Sequence, residues 1–221
     1  MPITRKDKDH IPVPPEFEEI MQQFFSIRCR YEAAIREVQT KLEILDMEFQ
    51  TKHDRNPIHH MQSRLKSFPS TLEKLQRRGI PVSFDSMTQT LMDIAGVRVI
   101  CSYIEDVYAV ADLLIHQDDV RLVRKRDYIR HPKENGYRSL HLVIEIPVYL
   151  QRGKILVPVE VQLRTIAMDL WASLEHQMRY KGVSHVPANI ADELQSAADG
   201  LAALDERMQS IHQQLNQLPD D

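Results

Sequence analysis

Arg126, Arg130, Lys133 and Arg138 crowd into the segment 126–141 together with Gly136, Tyr137 and His141, and alternating apolar runs bound it on both sides. Guanidinium and ammonium groups complement phosphate oxygens. Glycine lets the backbone turn or approach where a side chain would obstruct, and a tyrosine ring offers a face to a base. The combination suits an anionic, flat ligand, economically a nucleotide; a solvated basic hairpin loop is the plainer account. A second set of cations lies upstream. Arg64 and Lys66 are two apart in a segment, 63–70, that reads as extended, so they project the same way, while Ser70 is placed to cap a helix presenting Lys74 and Arg77. These cations either converge on one anion or form an exposed basic helix face.

Two strands carry polar side chains in apolar company. Over 93–102 Val97, Val99 and Cys101 share one side, which leaves Arg98 as an embedded charge that needs a partner or a job. Over 155–164 Val159, Val161 and Leu163 face the core, and Glu160, Gln162 and Arg164 face the other way, with His141 able to stand beside them. Such a face is a floor for a ligand, or simply solvent-exposed sheet. His53 and Asp54, with His59 and His60 nearby, have the residue types of a metal phosphohydrolase centre, but the further His and Asp ligands are not assignable. A polar interhelical loop is the expected account of 53–60.

The elements that must position these groups follow from periodicity. Apolar residues at Ile20, Phe24, Ile27, Tyr31, Ala34, Val38, Leu42, Leu45 and Phe49 predict one long helix over 16–52, after a Pro-rich, mobile lead-in over 1–15. Asp85 is placed to cap a short helix. A helix over 105–117 and strands over 120–126 and 140–146 follow, and then a helix over 165–181 with Trp171, Leu174 and Met178 buried and Gly182 as its stop. The closing helix carries Ile190, Leu194, Ala197, Leu201, Leu204, Met208, Ile211, Leu215 and Leu218 on a stripe that suits either the core or another copy of the chain. The fold class is α+β, a compact core over 53–182 flanked by long helices over 16–52 and within 183–221. With 27% charged residues, 43% hydrophobic ones and a formal charge of -4, no bulk capture of nucleic acid or anionic membrane is expected. Cys29 and Cys101 form no C-x-x-C, and no run approaches a membrane span, which together fit a reducing cytoplasm.

Read jointly, the motifs resemble the synthetase domain of the RelA/SpoT homologues, in particular the single-domain small alarmone synthetases. The resemblance rests on Arg64-Leu-Lys66 with Ser70, Lys74 and Arg77, on D-I-A-G-V-R at 93–98, R-D-Y-I at 126–129, N-G-Y-R-S-L-H at 135–141, V-E-V-Q-L-R-T at 159–165 and M-D-L-W-A-S-L-E-H at 168–176. Around 56–68 the text looks more like the RelP-type branch than the RelQ-type. The resemblance implies a mixed sheet flanked by helices, similar to nucleotidyltransferases, and transfer of the β,γ-diphosphate of ATP to the ribose 3′-hydroxyl of GDP or GTP, with AMP released. It implies that Arg64 and Arg98 sandwich adenine, that Lys66, Lys74 and Arg77 hold the ATP phosphates with Ser70 and Arg126 assisting, and that Asp93 and Glu160 bind Mg²⁺. Glu160 is also the candidate base. Tyr137 would stack on guanine, with Lys133, Arg138, His141 and Gln162 on the guanine-nucleotide side and Asp169 and Glu175 able to read the guanine edge, although Asp169 stands where relatives often carry Asn. A homotetramer is expected from the family, and no hydrolase activity. A different acceptor, such as an adenine nucleotide or an RNA 3′ end, and a non-catalytic nucleotide sensor are the competing functions.

Overall fold

Among the described residues five strands and six helices follow one another as α1 (Pro15–His53), β1 (Ile58–Leu65), α2 (Phe68–Arg77), α3 (Phe84–Thr90), β2 (Ala95–Cys101), α4 (Ile104–Ile115), β3 (Arg121–Asp127), β4 (Leu140–Leu150), β5 (Gly153–Thr165), α5 (Ile166–Tyr180) and α6 (Ala188–Leu215). The computed structural model describes residues 15–53, 55–180 and 187–218. The lead-in before Pro15 and the helix stop at Gly182 lie outside them.

The strands form one mixed sheet in the order β1-β2-β5-β4-β3, with β2 and β5 parallel and every other pair antiparallel. Alternation gives it two unlike faces. Val97 and Val99 of β2, Leu140, Leu142, Ile144 and Ile146 of β4, and Val159, Val161 and Leu163 of β5 are buried in a single core cluster with Tyr31, Ala34, Val38 and Leu42 of α1 and Val107, Val110 and Leu114 of α4. Each such Val, Leu or Ile side chain stabilises the fold by about 1.5–3 kcal/mol when fully buried. This covering of one face leaves the polar one open.

Several local expectations shift. Ser67 caps α2, accepting from the Ser70 backbone N–H, so Ser70 sits inside the first turn rather than at the cap. Ser83, and not Asp85, caps α3; a serine hydroxyl reaches the backbone N–H three residues on as well as a carboxylate does, so capping chemistry alone does not choose between neighbours. His59 and His60 belong to β1 instead of an interhelical loop, because the 58–65 backbone pairs with β2. Trp171 is buried, but Leu174 and Met178 are 48% and 46% exposed. The reason is helix phase: α5 turns Trp171 and Ala172 towards Ala198 of α6, which leaves the Ile166, Leu170, Leu174 and Met178 row facing outward. On α6, likewise, Ala198 and Asp205 are buried, whereas Ile190, Leu204, Met208, Ile211 and Leu215 are exposed.

Candidate active site

Strand register assembles the polar face into rows. Gln62 of β1 pairs with Arg98 of β2, Arg98 with Gln162 of β5, Gln162 with His141 of β4, and His141 with Arg126 of β3. One row therefore crosses all five strands. A neighbouring row runs Arg64, Gly96, Glu160 and Val143, and Gly96 puts no side chain between Arg64 and Glu160. Above these rows lies a cleft of about 470 Å³ lined by Arg64, Lys66, Asp93, Arg98, Glu160 and Gln162 among others.

At the β1 end of the cleft, Lys66 and Lys74 both donate to Asp93 Oδ2, at 2.9 and 2.5 Å. Burial works to raise the Asp93 pKa, but the two ammonium groups outweigh it and hold the carboxyl below its ordinary value. Asp93 Oδ1 is buried without a hydrogen-bond partner. Arg64 is exposed on β1, and Arg77 is exposed on the last turn of α2. Arg98 donates from Nη1 to Gln62 Oε1 at 3.5 Å and lies 3.5 Å from Asp169 Oδ1, while its Nε is buried and unpartnered.

Glu160 lies beyond Gly96. Gln162 Nε2 donates to Glu160 Oε2 at 2.9 Å, and His141 Nδ1 stands 3.5 Å from Oε1. Burial pushes its pKa up, and the His141 and Gln162 contacts more than reverse that, so the carboxyl titrates below its ordinary range. Asp93 adds an upward push of its own, which places the two carboxylates within electrostatic reach of each other.

The loop between β3 and β4 is folded by Asp127, whose Oδ1 accepts from the Ile129 and Arg130 backbone N–H groups at 3.0 Å. It is tightened by Gly136, with φ 80, whose N–H donates to Lys133 O at 2.8 Å. The loop delivers Tyr137 so that its hydroxyl lies 2.8 Å from His141 Nε2. Lys133 Nζ lies 4.6 Å from the Tyr137 ring centre and 4.7 Å from that of Tyr128, and Tyr128 meets both Tyr137 and His141 edge to face. Lys133 itself is exposed.

Three of the expected residues have partners within the protein. Arg126, expected among the ATP ligands, is on β3 beside His141 and 3.4 Å from the Tyr128 hydroxyl. Four strand spacings, about 19 Å, separate it from β1. Arg138, expected at acceptor phosphates, donates to Ile129 O at 3.3 Å and pairs with Asp199 of α6 at 3.5 Å, clamping the loop to α6. Asp169 accepts from Arg164 Nη1 at 2.9 Å, so its carboxylate is committed to guanidinium groups. Glu175 accepts from Asn135 Nδ2 at 3.1 Å, beside Tyr137. Among the residues given no role by the motifs, Gln62, Tyr128 and Arg164 stand in the site; the strand alternation that placed Arg164 with Glu160 and Gln162 was the available signal. Among the described residues no group of three or more His, Cys, Asp or Glu could hold a metal ion, and His59 and His60 are exposed on β1.

The mixed sheet carries guanidinium groups, paired lysines and two carboxylates around a cleft on its open face. Residues 63–185 match the family model described as the region found in RelA / SpoT proteins, and the chain belongs to that family. It is 43% identical over 201 residues to GTP pyrophosphokinase YwaC of Bacillus subtilis, covering 91% of this chain and 96% of that one. To GTP pyrophosphokinase YjbM of the same organism it is 37% identical over 181 residues, 82% and 84% of the two chains. The crystal structure of small alarmone synthetase 2 from Bacillus subtilis superposes with a TM-score of 0.79 at 44% identity, over 87% of this chain and 99% of that one. Small alarmone synthetase 1 from Bacillus subtilis, bound to its product pppGpp, gives a TM-score of 0.79 at 35% identity, over 87% and 98%.

Proposed function

We propose that this protein is a GTP pyrophosphokinase that moves the β,γ-diphosphate of ATP onto the ribose 3′-hydroxyl of GDP or GTP, releasing AMP. The observation that carries the reading is the convergence, in one cleft, of Asp93 with its two lysines and Glu160 with its two hydrogen-bonded neighbours. A ribose hydroxyl is a poor nucleophile, and a carboxylate kept ionised beside it is the group to take its proton. Glu160 has that character, and His141 beside it orients its oxygen.

In this reading Arg64 and Arg98 take the adenine between them, and Lys66, Lys74 and Arg77 take the phosphates, with Ser70 assisting. Lys66 and Lys74 are already gathered by Asp93, which holds them as a temporary counter-ion. Tyr137 stacks on guanine once Lys133 withdraws, Gln162 and Glu175 complete that subsite, and Arg126 adds charge at the receiving end of the transfer. The orphaned Asp93 Oδ1 and the ionised Glu160 fit Mg²⁺, a hard cation that takes one or two carboxylates and completes its shell with phosphate and water. When bound there it would supply charge neutralisation of the phosphates. The chain works in the cytoplasm as a homotetramer, assembled through the outward apolar rows of α5 and α6.

Incubation with radiolabelled ATP and, in turn, GDP, GTP, ADP and an RNA bearing a free 3′ end, with products resolved by chromatography, tests this. Label is expected on the guanine nucleotides alone. Transfer to the adenine nucleotide or RNA would replace the acceptor, and no transfer with any of them would make the protein a sensor.

A further inference from the structure

Arg164 is the most buried charged side chain of the site, 4% exposed, and it is the hub of its hydrogen bonds. Its guanidinium donates to Asp169 Oδ1 at 2.9 Å, to Tyr137 Oη at 2.6 Å, to Gln162 Oε1 at 3.3 Å and to Ser139 Oγ at 3.4 Å. Its Cζ also lies 5.1 Å from the Tyr137 ring centre. We propose that Arg164 is the positioning residue of the acceptor subsite, fixing at once the tyrosine ring that receives the base and the carboxylate that receives the proton. This assignment rests on the acceptor reading given above.

Two chains of contacts leave Arg164 and both end on Glu160. Through Tyr137, whose hydroxyl accepts from Arg164 and donates to His141 Nε2, the first continues from His141 Nδ1–H to Glu160 Oε1. Through Gln162, whose amide oxygen accepts from Arg164 and whose Nε2 donates, the second reaches Glu160 Oε2. Each carboxylate oxygen is therefore oriented by a path that starts at one guanidinium. The directions are mutually consistent: Arg164 only donates, the tyrosine hydroxyl can accept from it while donating to His141 Nε2, and the Nδ1–H tautomer then faces Glu160. A buried guanidinium costs desolvation that is recovered only when most of its N–H groups are bonded. Here Ser139, Asp169, Tyr137 and Gln162 do that, and Asp169 supplies the compensating charge. Asp169 is thereby a counter-ion to Arg164 and, at 3.5 Å, to Arg98, which gives its carboxylate a use other than reading guanine.

Arg164→Lys keeps the charge, but one ammonium cannot span the same four oxygens in the guanidinium plane. Its apparent KM for GDP should rise by at least about tenfold, the loss of one base-stacking contribution, with kcat lowered. The KM for ATP should change by less than about threefold. A merely structural role would lower the active fraction and leave both KM values alone, or raise both alike, and either result overturns the assignment. Tyr137→Phe, which deletes only the hydroxyl held by Arg164, should raise the GDP KM by about threefold or more, and the double variant should fall short of the product of the single effects, since both cut the same chain. Fully multiplicative effects would overturn the assignment, as would an unchanged GDP KM in Tyr137→Phe should Arg164→Lys fail to fold. Equilibrium binding of a fluorescent GDP analogue separates this inference from the proposed function. Wild-type protein that binds the analogue without turning over, beside an Arg164→Lys variant that has lost binding, would sink the function and keep the positioning role; normal turnover with undiminished binding by Arg164→Lys would do the reverse.

Discussion

Asp93 shows how one carboxylate can serve two states. Its Oδ2 holds Lys66 and Lys74 while its Oδ1 has no partner, so the resting site carries its own stand-in for a phosphate. Asp93→Asn should then lower kcat by about 10²- to 10³-fold, the usual cost of one electrostatic group in a transition state, while ATP affinity holds or tightens because the lysines lose their competitor. Single-turnover rates and ATP titration check both halves; near-normal turnover would remove Asp93 from the chemistry. Tyr137→Ala should weaken guanine-nucleotide binding by about 1–3 kcal/mol, with Tyr137→Phe intermediate because the ring survives and the hydroxyl contacts do not. The pH dependence follows from Glu160. Its folded pKa is lowered, chiefly by His141 against the opposing effect of burial, so the carboxylate form persists through neutrality and is lost only as pH falls through that lowered value. Removing the contact with His141→Ala should move the acid limb of the kcat–pH profile upward; an unmoved limb would mean that another group sets it.

At the scale of elements, the β3–β4 loop and α6 act as one piece. A Cβ added to Gly136 would come within 2.4 Å of the Ala198 Cβ, and its φ is +80. Gly136→Ala should therefore cost at least about 1 kcal/mol from backbone conformation alone, more from the clash, and should raise the GDP KM by pushing Tyr137 out of place. Denaturant titration alongside kinetics reads both. Asp205 sits deeper on the same helix, where burial raises its pKa against a hydrogen bond from Thr165 and with a push from Glu206. A raised folded pKa means that the ionised form is disfavoured in the fold, so Asp205 is most favourable below the unfolded pKa and becomes a liability as pH rises through the folded one. Asp205→Asn should raise Tm at pH 7, with the gain shrinking towards pH 4. A gain independent of pH would point away from ionisation.

For the whole molecule, the same residue type has opposite meanings on the two long helices. Leu42 of α1 is fully buried against the sheet, and Leu204 of α6 is 51% exposed. Leu42→Glu should abolish folding, because an unpaired carboxylate cannot be buried there. Leu204→Glu should keep stability within about 0.5 kcal/mol of wild type, as surface substitutions do, yet shift the light-scattering mass to a smaller species. An unchanged mass would take the α6 row out of the assembly contact. No described helix is long and apolar enough to cross a membrane.

The sequence by itself determined what repeats locally. Three-and-four spacing set the core sides of α1 and α4, and alternation those of β2, β4 and β5, because burial selects side chains at the period of the element that carries them; on α6 the same spacing marked the helix but not its buried side. Asp93 and Glu160 were legible as motifs and line one cleft, and the fold the motifs implied is the one observed. Only the tertiary structure decided register and phase. Gln62, Arg98, Gln162, His141 and Arg126 are scattered between positions 62 and 162 of the chain yet form one row, since strand order depends on pairings between segments distant in sequence. That row moved Arg126 away from the β1 cations, and helix packing turned Arg138 towards Asp199 and left Leu174, Met178 and Leu204 facing out. Arg164 shows the limit most plainly: alternation put it on the polar face, but a guanidinium with four partners drawn from a strand, a helix and a loop exists only once the chain has folded.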